Sequence, residues 1–418
     1  MKRQIGATLM LSTLPLLACE RPVSPDPMQV DGPGSVSRAI APGPYTPGQS
    51  YFGRNGYIEY VAGNAPVMYT APHGGALTPS EIPDRTSSAC GESVTTTTDL
   101  NTADLVRRMQ QAHFARFGTY PHIVINHLQR RKLDANRTLA AGACGDAEAQ
   151  IAWNEWHDFI GVARSAVLSA TGKGWYMDMH GHGHDKQRLE LGYLTTGAQL
   201  RSSDATLDAT VAYEDTASIT TLSRHAPPSF SALLRGPAGL GTLYASDGFP
   251  SVPSASDPAP ASGDSYFTGG YNTARYGCGI EATALGGQAG GNVCGVQIEA
   301  NYTGVRDTET SRQRFAEATA RVMELYLGTH WGIQLGTGIS GIVLTVSGSK
   351  QKGSATASLG WTGATASSVD VYRNGALFTT TANDGAHVDT IGKVSGTFTY
   401  KVCDAGTTTC SNEARVSF

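Results

Sequence analysis

The chain has 418 residues with 31 basic and 35 acidic side chains, a net charge of −4 and a charged fraction of only 16%. That length allows two or three domains and one large core, and the charge balance excludes the basic footprint of a nucleic-acid-binding protein. A glycine count of 50 with so little charge suits a loop-rich secreted chain better than a charged cytosolic one.

Met1-Lys2-Arg3 opens a short apolar run that ends in Leu16-Leu17-Ala18-Cys19. A positive start and a short apolar core read as a secretion signal, and the run is too short to span a bilayer as a mature helix. Leu16 and Ala18 ahead of Cys19 resemble a bacterial lipobox, with Leu17 unusual in its middle. The resemblance implies an exported lipoprotein acylated at Cys19, and Glu20 after it fits an outer-membrane address. Membrane attachment is then expected only through that N-terminal lipid. Residues 20–50 carry Pro22, Pro25, Pro27, Pro33, Pro42, Pro44 and Pro47 and read as a disordered tether. Of 7 cysteines, Cys19 aside, proximity suggests Cys278–Cys294 and Cys403–Cys410, which leaves Cys90 with Cys144. Disulfides fit an oxidising compartment, and the lack of a Cys-x-x-Cys pair argues against a cysteine zinc site.

Between 51 and 333 strand-like and helix-like segments alternate. Pro66 to Ala71 is an apolar run ending in Pro72-His73-Gly74-Gly75. Leu105, Met109 and Ala112 recur at helical spacing within 102–117, with Asp99 or Thr102 as the cap. His122 to Ile125 reads as a buried strand. Residues 146–170 put Ile151, Trp156, Phe159, Ile160, Ala163 and Val167 on one helical face. Gly174 to Asp178 and Val293 to Ala300 are further strands. Residues 310–327 form an amphipathic helix with Phe315, Ala318, Val322 and Leu325 inward. The alternation predicts an α/β domain, a mixed but mostly parallel sheet with helices on both faces. The Pro/Gly/Ser-rich stretch 224–276 reads as a long loop in which Tyr266 to Tyr271 can line a pocket. From 340 to 418, short alternating runs and the Asn374-Gly375 turn predict a small all-β sandwich, similar to fibronectin type III or immunoglobulin-like modules.

Four segments can carry chemistry: Pro72-His73-Gly74-Gly75, Asp134-Ala135-Asn136-Arg137, the run from Asp178 through His180, His182 and His184, and Gln297-Ile298-Glu299. Strand ends in an open α/β sheet are where ligands bind. Two histidines at such ends and one carboxylate make a catalytic zinc site with a position left for water. His180 is taken as a ligand, and His182 and His184 as supporting it or exposed. Glu81, Glu92 and Asp99 are the candidates for the acid. Glu299, inward on a buried strand, suits a general base. Arg137, with Asn136, suits a clamp for a substrate carboxylate.

In this order, over roughly 60–327, the four segments resemble the N-formylglutamate amidohydrolase family, within the wider zinc-carboxypeptidase-like group. The resemblance implies Zn2+ held by His73, an acidic residue and His180, with Glu299 as base and Asn136 and Arg137 on the substrate. The glutamate that carboxypeptidase relatives place three residues after the first histidine is Ala76 here, and Asp99 matches the family's acidic helix start better than Glu81. Together these readings give an exported zinc-dependent hydrolase of an amide or peptide-type bond in a carboxylate-bearing acyl-amino-acid, peptide or cell-wall-derived substrate. The alternative is a non-catalytic surface-binding or adhesion protein that keeps the fold. A serine hydrolase is disfavoured, because no Gly-x-Ser-x-Gly follows a predicted strand.

Overall fold

The computed structural model describes residues 40, 43–225, 228–335, 342–407, 409–411 and 413–418. Cys19, the signal segment 1–19 and most of the tether lie outside the described residues. Residues 43–50, placed in the tether from composition, pack against the body. The Tyr45 ring meets Tyr51 at 4.8 Å and Tyr60 at 5.3 Å, and Gly48 N donates to Ala62 O at 2.8 Å.

Eight strands form the main sheet: β1 (Ser50–Phe52), β2 (Ile58–Val61), β3 (Val67–Ala71), β4 (His122–Asn126), β5 (Gly174–His182), β6 (Leu189–Gly192), β7 (Ser251–Val252) and β8 (Val293–Asn301). Their order is β1-β2-β4-β3-β5-β8-β6-β7. The centre, β4-β3-β5-β8, is parallel, and antiparallel pairs flank it at β1-β2-β4 and β8-β6. The sheet is therefore mixed as expected, although β1, β2, β6 and β7 are too short or too polar to show in the sequence pattern.

Helices α1 (Thr102–Phe117), α2 (Ala147–Thr171), α3 (Tyr271–Tyr276) and α4 (Glu309–Trp331) frame the site. On one face Leu105, Val106 and Met109 of α1 and Phe315, Ala318 and Val322 of α4 share a core with Trp175, Met177, Met179, Val296 and Ile298. On the other, Trp156, Phe159 and Ile160 of α2 pack with Tyr60, Val124 and Tyr176. Burying side chains such as these contributes about 1.5–3 kcal/mol each.

Three expectations change. Leu325 is 55% exposed, because the inward stripe of α4 runs through Tyr326 and Leu327 instead. The N-cap of α1 is Asn101 at φ 68°, not Asp99 or Thr102, which leaves the Asp99 side chain for another role. The expected loop 224–276 contains helices Phe230–Arg235, Leu240–Ser246 and α3, besides β7, and its longest stretch without such an element is 253–270.

Beyond 342 a three-stranded and a four-stranded antiparallel sheet enclose a separate core of Leu344, Leu359, Trp361, Val369, Val371, Tyr400 and Val402. The cysteines pair as Cys90–Cys144, Cys278–Cys294 and Cys403–Cys410. No helix among the described residues is long and apolar enough to cross a membrane.

Two buried histidines of the α/β unit make it acid-sensitive. Burial pushes His113 down to about 3 and His122 down to about 4. The unfolded chain titrates near 6.5, so it binds protons first as pH falls. The stability these groups contribute is whole above about 6.5 and is lost toward pH 4, at about 1.4 kcal/mol per unit for each. Urea unfolding at pH 7.5 and 5 is expected to show this loss, and His113→Phe to make it shallower. An unchanged slope in that variant would refute the assignment.

Candidate metal centre

The alternation of β5 and β8 builds the site. Trp175, Met177 and Met179 face the α1/α4 core while Tyr176 faces the other way, so Asp178, His180 and His182 share the Tyr176 face. By the same rule Gln297, Glu299 and Asn301 lie opposite Val296, Ile298 and Ala300. The parallel register sets Asp178 beside Gln297, His180 beside Glu299 and His182 beside Asn301. From β6, Glu190 pairs with Glu299. The strand continues through Gly181 to His182, past the Gly174 to Asp178 stretch read from the sequence.

His73 follows β3 in a turn packed too closely for side chains. A Cβ on Gly75 would lie 2.2 Å from the His127 backbone. His73 O accepts the Asp99 N–H at 3.0 Å, which draws the loop before α1 over the strand end. The result is a small triangle. His73 Nδ1 lies 3.2 Å from His180 Nδ1, His180 Nδ1 lies 3.1 Å from Asp99 Oδ2, and His73 Nδ1 lies 3.4 Å from the same oxygen. All three residues are buried.

The remaining nitrogens fix the tautomers. His73 Nε2 meets Asp134 Oδ1 at 2.7 Å, and His180 Nε2 meets Asp178 Oδ2 at 2.9 Å. With a proton on each Nε2, the two Nδ1 atoms face each other and a carboxylate, an arrangement that needs a cation between them, whether a proton or a metal ion. Asp134 is itself anchored by Arg130 Nε at 2.9 Å, and Asp178 accepts from Thr70 Oγ1 at 2.5 Å.

The triangle's edges match the separation of about 3.3 Å between ligand atoms of a tetrahedral zinc at its usual bond lengths. The two-nitrogen, one-oxygen donor set is that of catalytic zinc sites, and the residues fit the ion. The field agrees: burial lowers the His180 pKa, but Asp178, Asp99 and Glu299 outweigh it and push it up to about 10. Burial would raise Asp99, and the two imidazoles hold it well below the usual carboxylate range. The centre therefore demands positive charge.

Among the three acidic candidates only Asp99 stands in this cluster. Glu81 hydrogen-bonds Tyr57 at the surface, and Glu92 is exposed. Glu299 is 4% exposed, with Oε1 4.0 Å from His180 Nδ1 and accepting from Gln297 Nε2 at 2.9 Å. Burial raises its pKa, the charge at His180 opposes this, and Asp99 and Glu190 add to it, leaving it at about 7.

Neither a protein-family model nor a curated protein matches the chain. A solved structure of N-formylglutamate amidohydrolase from Ralstonia eutropha JMP134 is similar at a TM-score of 0.38 and 13% sequence identity, covering 66% of this chain and 99% of that one. At this distance the site has to be understood from its own residues.

Asn136 is tied into the protein. Its Oδ1 accepts from Asn272 N, which opens α3, at 2.7 Å, and its Nδ2 lies 3.4 Å from His180 Nε2. It positions rather than projects. Arg137 is half-buried and donates to Asn136 O at 3.1 Å, with other N–H groups left in its fork. His182 and His184 turn to Arg188 O and Glu190, away from the triangle.

Sequence reasoning missed Arg306. Its guanidinium donates to Ala300 O at 2.9 Å, Leu100 O at 2.6 Å and His182 O at 3.1 Å. A Cβ on Gly181 would lie 2.3 Å from it, so the glycine makes room. One buried cation thus fastens the segments that carry Glu299, Asp99 and His180. Arg306→Lys keeps the charge but cannot span three carbonyls. It is expected to weaken zinc retention roughly 10-fold or more, the scale for residues supporting ligands. Competition against a chromogenic chelator would measure this, and unchanged affinity would refute it.

Proposed function

We propose that the chain is a zinc-dependent hydrolase of an amide or peptide-type bond in a carboxylate-bearing substrate. The observation that carries this is the triangle of His73, Asp99 and His180, backed by Asp134 and Asp178, with the buried carboxyl of Glu299 at 4.0 Å from His180.

Zinc bound by His73, Asp99 and His180 would lower the pKa of a water and polarise the scissile carbonyl. Glu299 then has the work of moving protons. With Oε1 held by Gln297, its Oε2 can take a proton from the attacking water and pass it to the leaving amine. Without an ion, burial and the Asp99 and Glu190 charges hold its pKa up to about 7, and a cation bound beside it would draw it down toward the carboxylate that a base requires. Asp134 and Asp178 keep each imidazole in its ligand tautomer. Arg137, half-buried next to Asn136, would offer a planar pair of N–H donors to a substrate carboxylate.

The three disulfides support an exported protein, and with it a lipid on Cys19 as the membrane attachment. A peptide, an acyl-amino acid or a cell-wall-derived fragment is the fitting substrate class outside the cytoplasm, with the β-sandwich as an accessory module. Metal analysis of the purified protein together with turnover on N-acyl amino acids and peptides tests the proposal. Stoichiometric zinc with chelator-sensitive hydrolysis is expected, and a protein without metal or turnover would overturn it.

A further inference from the structure

Beyond His180 the chain reads Gly181-His182-Gly183-His184, and these two further histidines meet Glu190 of β6. One ligand-capable atom from each of the three lies within 4.8 Å of the others. We propose that His182, His184 and Glu190 form a second binding site for a zinc-class divalent ion. It shares no residue with the first centre, and Glu299, paired with both His180 and Glu190, stands between the two.

The surroundings have the features of a ligand set. His182 Nε2 meets Arg188 O at 2.8 Å, so its proton lies on Nε2 and Nδ1 carries the lone pair. A metal-binding histidine almost always donates its second nitrogen in this way. Glu190 is 0% exposed. Its Oε2 accepts the Phe267 N–H at 2.9 Å, and Oε1 lies 2.8 Å from His184 Nδ1. The Phe267 ring stacks on His184 at 4.8 Å and holds the imidazole in place.

Charge points the same way. Of the cations nearby, Lys186 pairs with Asp264 and Arg188 with Asp257 and Asp264, while Arg306 is held by the carbonyls of Ala300, Leu100 and His182 and pairs with neither histidine nor Glu190. Among the described residues His184 is the only ion-pair partner of Glu190. A fully buried carboxylate balanced by one imidazole is costly, and a divalent ion with two nitrogens would balance it. The His184 side chain is 22% exposed, which gives an ion a route in from solvent. Two nitrogens and one oxygen select a zinc-class ion over magnesium or calcium.

An incoming ion would take the His182 Nδ1 lone pair that now accepts the His184 N–H at 3.1 Å. It would also replace the proton between His184 Nδ1 and Glu190 Oε1, and His184 would then carry its proton on Nε2. Bound there, the ion would join the end of β5, β6 and the Phe267 segment into one rigid rim beside the first centre.

The test is metal content after chelator treatment and dialysis against zinc, read by mass spectrometry. Two ions per chain are expected in the natural protein, and one in each of His184→Ala, the isosteric Glu190→Gln and His73→Ala. His184 is partly exposed, so its replacement should leave the fold intact, as circular dichroism would show. Two ions retained in both His184→Ala and Glu190→Gln would overturn the assignment. A single ion in the natural protein, lost in His73→Ala and kept in His184→Ala, would overturn the second site while leaving the first centre standing. No bound ion at all would overturn both.

Discussion

His73→Ala is expected to abolish zinc binding at the first centre and, with it, turnover. Among the described residues the triangle offers three donor side chains, so removing one leaves two donors and an open site. The loss extends past the ligand. Asp134 is 1% exposed and its Oδ1 accepts from His73 Nε2 at 2.7 Å, and a buried carboxylate deprived of a partner costs of the order of 1–3 kcal/mol or more. Arg130 and the Asn136 N–H still hold Asp134, so the chain should fold, at reduced stability. Thermal melts with and without zinc separate the two effects. A ligand at about 100 times its Kd stabilises by about 2.7 kcal/mol. The natural protein's melt should therefore rise with zinc, through the first centre, while His73→Ala loses that part of the rise. Asp99→Asn is the milder companion, because its shape is kept and its charge lost. Metal content and zinc-induced stabilisation unchanged in His73→Ala would refute the centre.

The sheet was legible where strands are buried on both faces. β3, β4, β5 and β8 are fully buried or nearly so, and such strands read as near-continuous apolar runs. β1, β2, β6 and β7 have two to four residues each, too few for a pattern to rise above the turns around them. Their pairing is set by tertiary register, which local sequence does not encode. The loop expected over 224–276 failed for a related reason. Its helices have six or seven residues and sit among Pro, Gly and Ser, and packing stabilises helices of that length far more than propensity does.

At the site, the histidines were visible because each ends an apolar strand and is followed by glycine. The partner acid was harder to see. Asp99 follows a run of threonines and resembles an N-cap, and only the hydrogen bond from its N–H to His73 O shows why it turns inward. Asp134 and Asp178 stood inside the recognised segments, yet their role of fixing imidazole tautomers depends on the loop after β4 folding back onto His73 and on Asp178 lying two residues from His180 on the same face of β5. Arg306 gave no signal at all. It lies in an irregular turn after β8, and its value comes from joining a carbonyl of that strand to two carbonyls from distant segments.

Glu299→Gln is expected to leave zinc content unchanged and to lower turnover by about 10²–10⁴-fold, the contribution of a general acid–base group. The replacement is nearly isosteric, and Glu299 stands beside the triangle rather than in it, at 4.0 Å from His180 Nδ1. The new amide can still accept from Gln297 Nε2, so the local packing survives. It cannot take a proton from water. It also removes a carboxyl that burial, with Asp99 and Glu190, holds above its ordinary range, so the variant should be at least as stable as the parent, and a thermal melt would separate lost activity from unfolding. Substrate binding should change little, placing the effect in kcat rather than KM. The same variant separates catalysis from adhesion, since a protein that only binds a surface ligand has no use for a proton carrier at this position and would be unaffected. Turnover within a few-fold of the natural protein, with zinc in place, would remove Glu299 from the mechanism and return the role of base to another group.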